Sequence, residues 1–298
     1  MKVFVTGATG FVGTEIIRQL TAAGHTARCL VRPGSEHKME ILKGVEIRHG
    51  DASQPETLVD ALKGCEGVIH LIGIIREFPH KGITFKKLHV EATRHILQAA
   101  REQGVGRFVH MSSNGTREGA TSDYHQSKWA AEELVRDSDL DWTIFRPSVI
   151  FGPGDQFINM LADMMHKLPV MPVIGDGAYR MSPVAVEDVA KGFIKSLKLQ
   201  EASGQVYHCC GPQALTYDEI LDEIGRALGK TSVTKLHHPL CLMKPVVGLL
   251  DGFSWFPLTR NQLTMMLEGN VCDPEPWAKT FGIKPTPLAE GIGRYLSS

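Results

Sequence analysis

The stretch Thr6–Gly13, TGATGFVG, decides the fold, because it joins the apolar run 2–6 to a segment of helical period. Gly7 permits a sharp turn, Gly10 lets the backbone approach a pyrophosphate, and Gly13 lets helix and strand pack closely. The free amides and the dipole at a helix amino terminus attract phosphate groups. Placed at the start of a repeating strand–helix pattern, the turn favours a dinucleotide site over a purely structural bend.

Beyond this turn, short runs rich in valine and isoleucine alternate with helical segments, which indicates β-α-β units and a parallel sheet. We predict strands at 2–6, 26–31, 45–49, 67–72, 107–112, 142–146 and 204–209, with helices between them, one of which carries Leu58, Ala61 and Leu62. The predicted fold class is α/β, a Rossmann-type doubly wound parallel sheet with a small C-terminal substrate lobe. Residues 1–150 form the dinucleotide-binding domain, the chain returns to the sheet near 184–212, and 151–298 form the smaller substrate or partner lobe.

Composition excludes several classes of protein. A formal net charge of −1 lacks the basic character of nucleic-acid-binding proteins. The six cysteines have no CxxC pairing and no zinc spacing, so we expect no metal site. We interpret the adjacent Cys209 and Cys210 as buried small residues, which favours a reducing compartment over a disulfide scaffold.

Membrane insertion and secretion are not expected either. The stretch 239–258 is interrupted by two charges and two prolines, so it lacks the uninterrupted apolar run that is needed to span a bilayer. The chain enters a strand at once, which argues against a signal peptide and for a cytoplasmic location. The same stretch could dock on a partner or a membrane-associated complex; packing on the sheet or lining an apolar ligand pocket is the favoured interpretation.

The end of the second strand bears on which dinucleotide binds. A carboxylate there would accept hydrogen bonds from the ribose hydroxyls of NAD, whereas an arginine accommodates the 2′-phosphate of NADP. This chain has Arg32 followed by Pro33, Gly34 and Ser35, and no acid. We therefore predict NADP, with NAD as the alternative; Arg32 could also be a solvated strand end.

Tyr124 and Lys128 are a second candidate pair. They are four residues apart, so they lie on one face of a helix. A tyrosine is a poor base at neutral pH, and a neighbouring ammonium is expected to lower its pKa. Ser113 follows the strand 107–112, at the sheet edge where ligands bind in parallel α/β proteins.

The sequence resembles the extended and atypical short-chain dehydrogenases/reductases over nearly its whole length. Its carboxyl-terminal motif is similar to the branch that contains the nucleotide-binding accessory subunit of respiratory complex I. The resemblance is carried by the glycine turn, Gly50-Asp51, the strand 108–113 (FVHMSS), 124–128 (YHQSK), 145–154 (FRPSVIFGPG), 183–190 (PVAVEDVA) and 257–263 (PLTRNQL).

The resemblance implies roles for individual residues. Ser113 would orient a carbonyl or alcohol, Tyr124 would exchange the proton, and Lys128 would be its electrostatic partner and hold the nicotinamide ribose. The resemblance and the glycine turn together imply cofactor contacts at Gly7, Thr9, Gly10, Phe11, Val12, Gly13, Arg32, Asp51, Ala52, Ile72, Gly73, Lys128, Pro147 and Val149.

The chain departs from the family pattern at two places. The loop between Ser113 and Tyr124 is short, and His89 precedes Val90 where extended enzymes often carry an asparagine of a proton relay. A histidine could replace that asparagine because it titrates near neutral pH, or it could be a core residue.

Three functions remain open. The leading hypothesis is an NAD(P)-dependent oxidoreductase acting on an unidentified small carbonyl or alcohol with tyrosine–lysine acid–base chemistry. The alternatives are a non-catalytic, nucleotide-binding structural or sensor protein like the complex I accessory subunit, and a nucleotide-sugar epimerase or dehydratase. An intact Ser113, Tyr124 and Lys128 favours an enzyme, because a structural role does not require the tyrosine.

Overall fold

The computed structural model of the protein describes residues 1–40, 42–251, 253 and 258–297. Numbered along the chain, its strands are β1 (Lys2–Thr6), β2 (Thr26–Val31), β3 (Val45–His49), β4 (Gly67–His70), β5 (Arg107–Met111), β6 (Asp141–Pro147), β7 (Ile150–Phe151), β8 (Met171–Ile174), β9 (Arg180–Met181), β10 (Val184–Ala185), β11 (Gln205–Cys209), β12 (Leu215–Thr216) and β13 (Lys235–His238). The helices are α1 (Phe11–Ala22), α2 (Ala92–Glu102), α3 (Asp123–Arg136), α4 (Ile158–Lys167), α5 (Val186–Ser196), α6 (Tyr217–Ala227), α7 (Leu240–Leu250), α8 (Arg260–Glu268), α9 (Glu275–Thr280) and α10 (Leu288–Leu296).

Within these ranges, seven strands form one sheet in the order β11-β6-β5-β4-β1-β2-β3, and every neighbouring pair is parallel. The order reverses between β1 and β4, which is the switch point where α/β proteins bind ligands. The predicted α/β class and doubly wound parallel sheet are thereby confirmed.

Both faces of the sheet are covered because successive side chains point to opposite faces. Val3 and Val5 pack in a core with residues of α1 and α5, whereas Phe4 belongs to a second core with residues of α2 and α3. A strand that is buried on both faces reads as a continuous apolar run, which is why β1 and β4 were recognisable in the sequence.

The segments after β6 build a smaller region on top of the carboxyl ends of the strands. Its core joins residues of α4, α6 and α10, and three two-stranded sheets pair β7 with β10, β8 with β13, and β9 with β12. Thr216 caps α6 in a capping box with Glu219, and Thr259 caps α8 in one with Gln262.

One prediction about local structure is wrong. The helix expected across Leu58, Ala61 and Leu62 is a short 3₁₀ turn, Pro55–Leu58, followed by turns in which Asp60 has φ of 57°. A residue in the left-handed region cannot continue a helix. Ahead of α2 the chain forms one π-helical segment, Lys86–Glu91, which continues directly into α2.

The cysteine prediction is also wrong in part. Cys210 forms a disulfide with Cys272, and their Cα atoms are 5.9 Å apart. Burial of Cys209 and Cys210 is as predicted, but the argument for a reducing compartment loses its basis. The pairing spans 62 residues, and nothing local in the sequence marked it. No helix among the described residues is long and apolar enough to cross a membrane.

Candidate functional site

The glycine turn forms a close-packed corner between β1 and α1. Gly7 has φ of +71°, and a Cβ on Gly13 would lie 2.2 Å from the Gly7 carbonyl oxygen. Gly10, which has no side chain, is the amino-terminal cap of α1, and Phe11–Thr14 contains no acid. Three or four backbone amides at this helix start have no intrahelical acceptor. The corner therefore offers donors and a positive dipole end to an anion.

The turn's side chains have different positions. Val12 is buried in the core, so its amide rather than its side chain is available. Thr9 is half-buried, and the Phe11 ring would meet a Cβ on Gly152 at 3.4 Å, which places it against the smaller region.

The ends of β2 and β3 flank this corner. Arg32 follows β2 and is exposed; its carbonyl accepts a hydrogen bond from the Ser35 amide at 3.0 Å. Asp51 follows β3, and its carboxylate accepts a hydrogen bond from the Ser53 amide at 2.8 Å, while Ala52 is buried.

Tyr124 lies in the first turn of α3, whose amino-terminal cap is Ser122. The Tyr124 side chain is 7% exposed, and its ring centroid is 5.5 Å from that of His89. Burial raises the pKa of Tyr124, and a hydrogen bond with the Ser113 hydroxyl opposes that rise. The prediction that Lys128 lowers the pKa of Tyr124 is therefore wrong. Loss of solvent around the ring has the larger effect, and the phenol is protonated at neutral pH.

Lys128 lies one turn further along α3 and is 2% exposed. Its Nζ donates a hydrogen bond to the Met111 carbonyl at 3.0 Å, and a Cβ on Gly73 would lie 3.0 Å from the same Nζ. Burial lowers the pKa of Lys128 to about 8, although the nearby Glu132 carboxylate opposes the shift. Ser113, Tyr124, Lys128 and Gly73 are thus brought to one place at the carboxyl edge of the sheet, and Ile72 is beside it.

His89 is a satisfied core residue. Its Nε2 accepts a hydrogen bond from the Ile74 amide at 3.0 Å, so the ring proton is assigned to Nδ1, which donates to the Ser127 hydroxyl at 2.8 Å. The Ser127 hydroxyl in turn donates to the Tyr124 carbonyl at 2.7 Å. Burial lowers the pKa of His89 well below its usual range, with the Lys128 charge as a second cause. Because Nε2 is bonded to a backbone amide, which does not release its proton, His89 braces the loop after β4 against α3 and passes no proton onward from that nitrogen.

Pro147 and Val149 connect the loop that follows β5, which carries Ser113, to the smaller region. The Asn114 amide donates to the Pro147 carbonyl at 2.8 Å, and the Val184 amide donates to the Val149 carbonyl at 2.9 Å. Ser148 between them is buried, and its hydroxyl donates to the Asn270 carbonyl at 3.0 Å.

A polar chain that the sequence analysis missed runs from α3 to the same loop. The buried Glu132 accepts hydrogen bonds from the Arg146 guanidinium at 2.8 and 2.7 Å, and it also pairs with Arg136. The guanidinium of Arg146 is 3.5 Å from Nε2 of His208. Nδ1 of His208 lies 2.7 Å from the side-chain oxygen of Asn114, next to Ser113.

The chain continues into the smaller region, because the Asn114 side-chain nitrogen donates to the Asn270 side chain at 2.8 Å. Isolated Glu, Arg, His and Asn residues carry no local motif, so no sequence signal could have joined them. Their effect is to fix the loop that carries Ser113 from both sides. Within the described ranges, no group of three or more His, Cys, Asp and Glu side chains could hold a metal ion.

Comparisons with known proteins identify relatives of this chain. The model of the NAD dependent epimerase/dehydratase family matches residues 3–210. The mouse mitochondrial protein named NADH dehydrogenase (ubiquinone) 1 alpha subcomplex subunit 9 is 31% identical over 294 residues, which cover 95% of this chain and 76% of the relative. The Caulobacter vibrioides protein named ceramide reductase is 37% identical over 188 residues, 63% of this chain and 58% of the relative.

A solved structure shows the same fold. The dTDP-glucose 4,6-dehydratase DesIV from Streptomyces venezuelae, with NAD and TYD bound, superposes with a TM-score of 0.78 at 22% identity, over 99% of this chain and 96% of that chain. At this identity the likeness concerns the arrangement of strands and helices alone.

Proposed function

The chain belongs to the NAD-dependent epimerase/dehydratase family, and from that premise we propose that it binds NADP(H) and reduces a carbonyl substrate at Tyr124. The resemblance to extended short-chain dehydrogenases/reductases is confirmed by the family match. We further propose that residues 1–150, with the return near 184–212, hold the nucleotide, and that 151–298 hold the substrate or a partner.

The residues at the sheet edge fit a dinucleotide. Gly7, Gly10 and Gly13 have no side chains, so the backbone of the turn can approach the pyrophosphate closely. The start of α1 offers amide donors to the same group. Gly73 leaves space directly over the ammonium of Lys128. This ammonium would hold the ribose hydroxyls through the donors that the Met111 carbonyl does not use.

The chemistry that the bound cofactor supplies is hydride transfer to carbon. The Tyr124 phenol is the proton donor to the substrate oxygen, because burial raises its pKa and keeps it protonated. Ser113 hydrogen-bonds the same phenol and would orient the carbonyl oxygen toward it. Lys128, one helical turn along α3, would hold the ribose of the cofactor beside that phenol. The observation that carries the proposal is a buried, protonated phenol hydrogen-bonded to Ser113, with a buried lysine one turn away on the same helix.

The test is NADPH oxidation by the purified protein against a panel of ketones, quinones and sugar nucleotides. We expect Tyr124→Phe to lower turnover at least about 100-fold while its affinity for NADPH stays within about twofold of the wild type. Tyr207→Phe is the matched control, because that buried tyrosine lies on β11 and packs its ring against Phe145 and Phe281. Equal turnover in the wild type and Tyr124→Phe would remove Tyr124 from the mechanism.

NADP is favoured over NAD by Arg32, whose exposed guanidinium follows β2 without a neighbouring acid in the stretch 31–35. A guanidinium recognises a phosphate through paired, charge-assisted hydrogen bonds. Arg32→Ala should weaken NADPH binding about tenfold or more and leave NADH binding unchanged. An equal loss for both nucleotides would contradict the assignment.

A second candidate function is a nucleotide-binding accessory subunit of a membrane-associated complex, as the name of the mouse relative suggests. The outer face of α7 favours it, because Leu242 and Leu249 are 64% and 78% exposed there. For this function we expect NADPH binding without turnover on any substrate of the panel. Leu249→Glu would then release the protein from the membrane fraction, whereas Leu236→Glu, an exposed leucine on β13, would not.

A further inference from the structure

A groove of about 530 Å³ lies between α7 and α8. The lining residues recur at helical spacing on each helix, so one face of α7 lies opposite one face of α8. They are Thr121, Lys244, Val247, Gly248, Arg260, Leu263, Thr264, Leu267 and Glu268. We call this the α7–α8 groove. Its volume lies within the range of small-molecule sites.

The floor of the groove is apolar and its position is fixed. Val247 is fully buried and Leu263 is 5% exposed, while Leu267 closes one side. The Arg260 guanidinium donates to the Gly248 carbonyl, which ties the start of α8 to α7. Since the opposite face of α7 carries the exposed leucines, the groove and that outer face are separate surfaces.

The charges on the rim are predominantly positive. Lys244 is exposed on α7, and the Arg260 guanidinium is 3.9 Å from the Asp251 carboxylate. The acidic residue of the lining, Glu268, already has a cationic partner, because its carboxylate is 3.2 Å from the Arg117 guanidinium. A ligand in the groove would thus meet an apolar floor and an available ammonium.

We propose that the α7–α8 groove binds a single-chain amphiphile with an anionic head, its chain along Leu263 and Leu267 and its head at Lys244. The apolar lining favours an alkyl chain over a polar ligand, and the ammonium favours a negative head over a neutral one. This inference is independent of the proposed reaction.

The occupant would rest against the loop of the candidate active site. Thr121 of that loop lines the groove. The side chain of Asn261 on α8 accepts a hydrogen bond from the Asp123 amide at 3.0 Å, next to Tyr124. The groove is therefore continuous with the element that positions the phenol.

The experiment is calorimetric titration of the full chain with dodecanoate below its aggregation concentration, without nucleotide. Dodecanoate should bind, and dodecanol and dodecyltrimethylammonium should bind about two- to fivefold more weakly, the value of one exposed ion pair. Lys244→Gln should lose the same factor, while Lys230→Gln, an exposed lysine outside the groove, should not.

Thr264→Phe fills the groove and should abolish binding, whereas Val246→Phe on the outer face of α7 should leave it intact. Unfolding temperatures and NADPH affinities of all variants identify any that misfold. The proposal is overturned if dodecanoate does not bind, if Thr264→Phe binds it as well as the wild type, or if the three head groups bind equally. Binding of NADPH tests the other proposal separately, so failure of one leaves the other standing.

Discussion

Replacement of Gly13 by alanine has two opposite effects on stability: it improves intrinsic helix preference, and it introduces a steric clash with the glycine turn. Gly13 lies inside α1, where alanine is intrinsically favoured by about 0.5–1 kcal/mol. In this structure, however, the new Cβ would lie 2.2 Å from the Gly7 carbonyl oxygen and 2.9 Å from the Ala8 Cα. Both neighbours are backbone, so α1 must move away from the turn by about 1 Å, the amount that restores an ordinary contact.

The magnitude follows from these two opposing effects. Insertion of a methyl group into a packed core typically costs about 1–3 kcal/mol. After the gain in helix preference is subtracted, Gly13→Ala should lower the free energy of unfolding by roughly 1 kcal/mol, within a range of about 0–2.5 kcal/mol. The same displacement moves the amides of the turn, so NADPH affinity should fall at least about tenfold.

Gly293→Ala is the matched control. Gly293 lies inside α10, and a Cβ there would have no heavy atom within 4 Å. This substitution should raise the free energy of unfolding by about 0.5–1 kcal/mol and leave NADPH affinity unchanged. Urea denaturation and fluorescence titration measure both quantities. If Gly13→Ala were as stable as Gly293→Ala and bound NADPH normally, the claim that Gly13 is needed for close packing of α1 on the turn would be refuted.

Three further predictions concern buried charge. Glu132→Gln leaves the partly buried guanidinium groups of Arg136 and Arg146 without this carboxylate and should lower the free energy of unfolding by about 2 kcal/mol, measured by urea denaturation. A change under about 0.5 kcal/mol would contradict a stabilising role of these ion pairs. Burial lowers the pKa of Lys128 to about 8, so turnover should fall as the pH rises through 8 and the ammonium loses its proton, while the protein stays folded. A turnover rate that is constant up to pH 10 would contradict this role of the ammonium. Burial also lowers the pKa of His70 to about 3 and those of His89 and His110 well below 6.5. As the pH falls below 6.5, the unfolded state takes up protons at these histidines before the folded state does, so the free energy of unfolding decreases by about 1.4 kcal/mol per pH unit for each histidine. Unfolding curves that do not change between pH 6.5 and 4.5 would refute this prediction.

The sequence predicted the sheet well because its signals are local. Strand bounds at 2–6, 26–31 and 45–49 agree with the structure, since short runs rich in β-branched residues and the turns between them are decided within a few residues. The helix expected around Leu58 failed for a related reason. Its apolar spacing suits a helix, but the chain turns at Asp60 and packs those side chains under the sheet without one.

The candidate site was predicted in part. Tyr124 and Lys128 are on one helix, so their spacing alone places them together. The direction of the tyrosine pKa was predicted wrongly, because desolvation depends on what covers the ring, and Phe85 and His89 come from a distant segment. The polar chain through Arg146 and His208 joins residues 14 and 62 positions apart, which no local pattern records.

The sequence by itself determined the β-α-β order, the glycine corner and the tyrosine–lysine face, because each depends on neighbours along the chain. Tertiary structure alone decided that Lys128 is buried beneath Gly73, that Cys210 pairs with Cys272, and that α7 and α8 leave a groove between them. These features depend on contacts between segments far apart in the chain, and the free energy of such contacts is set by shared burial and not by local propensity.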